Sequence, residues 1–411
     1  LSSPIIDLIS HANQAASPGL VSLDASNYGN VKGRKMTTKS LLIVNYSPLL
    51  LAGLLAACGS GEGSDSRVPA PNETGRGGEA PSERQAAALE LDATYPEGFS
   101  FLNGVRELPD GRVLAADPLA QVLLRIDLDA SRADSLGRVG PGPQEYQQPD
   151  QVLPLPDNRS LLVDLGKMQL TELAPDGSFE DGVSMSIPRE EGFPMVLHPR
   201  FVDDHGFLYD QAPRNRERGP ADSASVIRFD RSTGAMDTVA TVWTPEPQMT
   251  RTRGRGFLPR LLEPSDAWAI GPEGEVLIIR ARDFSAEWIY PDGRIVTGPP
   301  LPYTEYPVSR EDKISLLDEM RNSAISSTAA VSRDGGVQRM TMSRGIPDSG
   351  DSPGVEEFEW AETFPPFRAD RTIISPEGEA WVERYLPIGE GTRWEVFNGE
   401  GQWLGFVALP G

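Results

Sequence analysis

One unit recurs from about Phe101 onward and limits what the chain can fold into: a short strand, a Pro/Asp/Glu/Gly turn, a strongly apolar strand, a loop, then an alternating strand. The first copy runs Val105-Arg-Glu-Leu, turn Pro109-Asp110-Gly111, Val113-Leu-Ala-Ala-Asp117 and Val122-Leu-Leu-Arg-Ile-Asp127. The second centres on Asn158 and the third on Gly206, at intervals of 47 and 48 residues. Further copies surround Gly274 and Gly378, which lie 104 residues apart, so the spacing predicts one degenerate copy between them, around 329–337. A four-stranded unit of this kind cannot bury both faces of its sheet alone, and copies must stack side by side around an axis. The expected fold is therefore an all-β propeller over residues 88–411, with six four-stranded blades the best count and five or seven also compatible with the spacing. Residues 88–96 are expected to add a strand tying the N-terminal end to the last blade.

Composition agrees where it bears on the question. The 41 Gly and 37 Pro show no collagen-like period and suit many short strands joined by tight turns. With 38 Lys plus Arg against 60 Asp plus Glu, the net charge of -22 argues against nucleic acid or anionic headgroups as broad electrostatic partners. One helical insertion is expected over 309–322: Ser309 as N-cap, Asp312 at the third helical position, and Ile314, Leu317 and Met320 on one face packed against the propeller rim.

The single cysteine rules out an intrachain disulfide and a cysteine-based structural zinc site. It ends a distinctive segment. A basic run over 32–40 precedes the largely apolar residues 41–57, too short and too broken by Pro48 for a bilayer-spanning helix. The terminus Leu55-Ala-Ala-Cys58 resembles the lipobox of bacterial lipoproteins. That resemblance implies a diacylglyceryl-type lipid on Cys58, a signal peptide over 36–57 starting at Met36, and an anchored protein on the periplasmic or outer-membrane side. Residues 1–35 then read as an upstream over-extension, and 58–87, rich in Gly, Ser, Pro and Glu, as a flexible tether.

The run from Gly137 to Pro149 resembles the glycine-rich inter-blade loop of six-bladed NHL-type propellers, with Gln144-Glu145-Tyr146 in place of Gly-Glu-Phe. It occurs once, and it implies fold rather than activity. Aligning the turns puts Asp117, Asp164, Arg280 and Arg384 at equivalent ends of their second strands, six residues after Gly111, Asn158, Gly274 and Gly378. They are candidates for ligand contacts at one mouth of the channel, or else solvated strand ends. Arg251, Arg253, Arg255 and Arg260 form a second candidate, an anion-binding loop on the same face. No catalytic motif and no convincing metal set stands out: Asn103, Asp150 and Asp266 do not make a calcium site on the pattern of gluconolactonase-like propellers, and Asp203, Asp204 and His205 occupy a turn. The expected function is non-catalytic binding of an envelope protein, peptide or glycan, with no cofactor and membrane contact only through the lipid. The alternatives are a metal-dependent hydrolase or lyase using the channel, and a structural subunit of an envelope complex.

Overall fold

The computed structural model describes residues 39–45, 90–188, 195–212, 222–245, 249–252, 256–322, 324–333, 336–344 and 354–409. Cys58, the expected tether 58–87 and residues 1–35 lie outside them, as does all of the expected leader 36–57 except 39–45.

Five four-stranded antiparallel sheets follow one another along the chain. Blade one comprises Gly104–Glu107, Val113–Asp117, Val122–Asp127 and Arg132–Ser135; blade two, Pro149–Pro154, Ser160–Asp164, Gln169–Leu173 and Phe179–Ser184. Blade three comprises Phe201–Val202, Leu208–Gln211, Ser223–Phe229 and Met236–Trp243; blade four, Ala267–Ile270, Val276–Arg280, Ser285–Ile289 and Ile295–Thr297; blade five, Thr372–Ile374, Ala380–Glu383, Thr392–Phe397 and Trp403–Leu409. Strand order within each sheet is sequence order, the meander that tight turns impose. The turn between the first two strands needs a left-handed residue: Gly111 has φ +80°, and Asn158 fills the matching place in blade two at φ +60°.

Burial explains why the second strands read as unbroken apolar runs. Every residue of Val113–Asp117 and of Ser160–Asp164 is buried, because both faces of each sheet are covered, by blades one and three for blade two, and by blade two and the strand Glu90–Phe99 for blade one. Leu114, Ala116 and Leu123 of blade one pack with Val152, Leu162 and Leu173 of blade two. Leu161, Val163 and Leu170 meet Leu208 and Ile227 of blade three. A larger core joins Tyr209 and Val226 of blade three, Trp268, Leu277 and Ile278 of blade four, and Val382 and Phe397 of blade five. The fourth strand of blade one is solvated, and Arg132–Ser135 contains no buried residue.

Two expectations need correction. The structure has five blades among its described residues, not six. Blades four and five touch directly through their innermost strands, so no blade separates them. The long interval from Gly274 to Gly378 holds instead the helix Arg310–Asn322, a two-stranded hairpin of Ile325–Arg333 with Gly336–Arg344, and a 3-10 turn at Val355–Glu357. The longest apolar run of the hairpin sequence is Ala329-Ala330-Val331, two of whose three side chains are single methyl groups, so it offers little to fill the space between two blades. The strand expected over 88–96 also exists, as Glu90–Phe99, but it pairs with Lys39–Asn45 and not with the last blade. Its Tyr95 and Phe99 pack on Val105, Val113, Ala115 and Ile126, the remaining face of blade one.

The helix is capped as its sequence suggests. Asp312 N–H donates to Ser309 Oγ at 3.1 Å while Ser309 N–H donates to the Asp312 carboxylate at 2.9 Å, a reciprocal box. The other Asp312 oxygen accepts Ile388 N–H of blade five at 2.8 Å, fastening the helix to the rim. Leu317 is buried, but Ile314 points outward, so the packed face is narrower than the expected Ile314, Leu317 and Met320.

The glycine-rich loop earns its composition through Glu145, which accepts Gly142 N–H at 2.6 Å and pairs with Arg138 at 2.6 Å. A Cβ on Gly140 would sit 2.2 Å from that carboxylate. Tyr146 then enters the seam between blades one and two, where its hydroxyl accepts Leu123 N–H at 3.1 Å.

Candidate functional site

The ends of the second strands, the second-to-third loops and the inter-blade segments gather at one mouth of the propeller. Asp117, Asp164, Arg280 and Arg384 are there, at or next to the ends of their strands, in the register the turns predict. The structure shows what each one contacts. Asp117 accepts N–H groups from Ser100 and Phe101 of the incoming segment and from Leu119 and Ala120 of its own loop. Asp164 does the same for Gln147, Gln148, Gly166 and Lys167 at 2.8 to 3.2 Å. Each carboxylate thus ties the chain entering a blade to a loop of that blade.

Blade four divides this task differently. Asp266, just before the innermost strand, accepts N–H groups from Trp243 and Ala281 and pairs with Arg280 at 2.8 Å. Burial pulls Arg280 down, but hydrogen bonds to Asp266 and Glu287 outweigh it and leave the guanidinium above its ordinary value. Arg384 is buried over the rings of Phe284 and Tyr303, 5.3 and 5.2 Å from their centroids, and burial lowers its pKa. Arg260 pairs with Glu263 at 3.1 Å. Arg251 lies in the strand Met249–Thr252, opposite Phe257, while Arg253 and Arg255 lie outside the described residues.

A different set of residues converges at the starts of the innermost strands. Asn103 (blade one) donates through Nδ2 to Asp150 Oδ1 (blade two) at 2.9 Å and to its carbonyl at 3.0 Å. Asp150 Oδ2 lies 3.0 Å from His198 Nε2, on the segment entering blade three. Asn103 and Asp150 are fully buried, whereas the His198 side chain keeps 24 % of its exposure. The main-chain N–H of His198 donates to Asp210 Oδ2 at 2.8 Å.

Two residues on, Arg200 Nε stands 3.9 Å from Asp210 Oδ1, and its guanidinium lies 5.6 Å from the Trp268 ring centroid of blade four. Burial pushes the Asp210 carboxyl up and the Arg200 guanidinium down, each only partly offset by the other. Arg200 also feels the charge of Asp370, just before blade five. From that side Arg368 pairs with Glu319 of the helix at 2.7 Å and lies over Tyr385, and burial raises the Glu383 carboxyl. The mouth is therefore lined by a buried amide from blade one and by buried and half-buried ionisable groups from blades two, three and five.

Sequence reasoning considered Asn103 and Asp150 and missed His198, Arg200 and Asp210. A faint signal existed: a polar residue stands just before the apolar part of each innermost strand, at Asn103, Asp150, Arg200, Asp266 and Arg371. Asp203 and His205 are turn residues, with Asp203 accepting N–H groups from His205 and Phe207. Among the described residues no group of three or more His, Cys, Asp or Glu side chains is placed to hold a metal ion.

No family model matches the chain, and no curated protein matches it. Among solved structures, a gluconolactonase from Xanthomonas campestris is 14% identical, covering 76% of this chain and 77% of that one with a TM-score of 0.34. A chain of a nidogen/laminin complex is 10% identical over 77% of this chain and 83% of that one, TM-score 0.37. A virginiamycin B lyase from Staphylococcus aureus is 9% identical over 75% and 85%, TM-score 0.30.

Proposed function

We propose that this chain is an extracytoplasmic lipoprotein, held to a membrane through lipid on Cys58, whose propeller binds a peptide or glycan of the cell envelope at the mouth built by Asn103, Asp150, His198 and Arg200. The carrying observation is that these polar side chains, contributed by three blades, are oriented by buried carboxylates yet leave His198 and Arg200 partly open. A peptide or glycan supplies the carbonyl and hydroxyl groups that an imidazole and a guanidinium bind. Asp117, Asp164, Arg280 and Arg384 frame this mouth rather than contact the ligand, because protein groups already engage them. The anchor rests on the basic run, the apolar segment and the small residues before the single cysteine, and cleavage before Cys58 would take Lys39–Asn45 away from its pairing with Glu90–Phe99. Among the described residues no helix is long and apolar enough to cross a membrane.

Two experiments test this reading. The full chain, expressed in a bacterial host, should enter the detergent phase on cloud-point partition and yield an acylated N-terminal Cys58 by mass spectrometry, while Cys58→Ser should remain aqueous. Recovery of an unprocessed, unacylated wild type would remove the anchor. Peptide and glycan arrays probed with the full chain should show binding that Arg200→Ala weakens; equal binding by both would remove the mouth. A second reading, hydrolysis at this same mouth, is favoured by the His198–Asp150 hydrogen bond.

A further inference from the structure

We propose that His198 is a general base for hydrolysis of carboxylic esters, with Asp150 and Asn103 positioning it and Arg200 stabilising the oxyanion. This inference rests on the mouth being the ligand site and adds turnover to it. An ionised carboxylate can only accept hydrogen bonds. Asp150, with Asn103 on one oxygen and His198 Nε2 on the other, therefore keeps the imidazole proton on Nε2. The basic lone pair is then on Nδ1, and among the described residues nothing is hydrogen-bonded to it. The ring cannot drift, since the His198 main chain is held by Asp210 and its far nitrogen by Asp150. A buried carboxylate that selects the tautomer and steadies the imidazolium is the arrangement general-base catalysis needs.

Arg200 supplies the second requirement. Its guanidinium makes no hydrogen bond among the described residues, its nearest carboxylate being the one 3.9 Å away. Contact with Trp268 holds a largely buried cation, still partly open to the mouth, two residues along the chain from the base. Such a cation is worth most where negative charge develops outside water. The reaction balances without a metal or a redox partner. Water adds to the acyl carbon as its proton passes to His198 Nδ1, and the carbonyl oxygen becomes an oxyanion facing Arg200. The oxyanion then re-forms the carbonyl, the bond to the leaving alkoxide breaks, and the imidazolium returns its proton to that oxygen, giving an acid and an alcohol. One base with one cation suits an ester better than an amide, whose nitrogen leaves far less readily, or a phosphate ester, which carries more charge.

The test uses the full chain with p-nitrophenyl acetate and p-nitrophenyl butyrate, following p-nitrophenolate release across pH. The wild type should exceed the buffer rate, on a limb governed by one ionisation. His198→Gln keeps an N–H donor for Asp150 but cannot take a proton, so it should fold and lose about 100-fold in kcat/KM together with that limb. Asp150→Asn should lower kcat more than KM, and Arg200→Ala should lower kcat about 100-fold. No turnover of either ester by the wild type would overturn the proposal while leaving array binding intact. Turnover that survives His198→Gln with its limb unchanged would overturn it equally.

Discussion

Replacing Asp164 by Ala separates a structural pin from a solvated strand end. The side chain is fully buried and accepts four main-chain N–H groups, two from the segment entering blade two and two from the loop after its second strand. Each such bond contributes on the order of 1 kcal/mol net, and a buried N–H left without a partner costs at least as much. Asp164→Ala should therefore cost about 4 kcal/mol. Asp164→Asn retains one oxygen; because Oδ1 takes three of the four donors, only Gln147 N–H is stranded, and about 1 to 2 kcal/mol should be lost. Urea unfolding followed by tryptophan fluorescence reads the difference. With a slope of about 3 kcal/mol/M, the Ala variant should shift the midpoint by more than about 1 M. Asp176→Ala, at an exposed outer turn, serves as control and should leave the midpoint unchanged. If Asp164→Ala falls within about 1 kcal/mol of the wild type, the pinning argument is wrong.

Three further outcomes follow from geometry. Gly104→Ala would place a Cβ 2.7 Å from Gln151 Cα and Val152 N, where the innermost strands of blades one and two meet, and should cost about 3 kcal/mol by thermal unfolding; a neutral result would mean the blades sit farther apart. Asp312→Ala removes both halves of the helix cap and the tie to Ile388, so amide exchange over 310–322 should quicken while blade two stays protected; unchanged exchange there would contradict the docking. Burial raises the Glu383 carboxyl in the folded state, so its contribution to stability is greatest below the unfolded pKa and fades as pH rises through the raised folded value. Glu383→Gln should accordingly gain stability relative to the wild type as pH rises above the ordinary glutamate range of about 4, and a parallel pH profile for the two proteins would refute this.

The blade repeat was legible because its causes are local. Left-handed turn residues recur at Gly111, Asn158, Gly206, Gly274 and Gly378, and strands covered on both faces read as apolar runs. The ends of those strands could be aligned by counting, which placed Asp117 and Asp164 correctly. Blade number was harder to read, since an insertion of helix and hairpin lengthens an interval just as a blade does; only contact between blades four and five distinguishes the two. The mouth residues were obscured for a related reason. Asn103, Asp150 and His198 lie 47 and 48 residues apart, and their hydrogen bonds exist only once three blades are set around an axis. A turn or cap leaves a pattern in sequence, whereas a contact between blades leaves single polar residues that look like strand entries.

On the proposal above, buried Asp150 fixes the tautomer of His198 at the mouth. Nitrogen NMR of the full chain labelled at histidine, with His198 assigned through His198→Gln, reads this directly, since the two ring nitrogens report which carries the proton. Neutral His198 should be the Nε2–H form and should lose that preference in Asp150→Asn. A dominant Nδ1–H form, or a spectrum indifferent to Asp150→Asn, would contradict it.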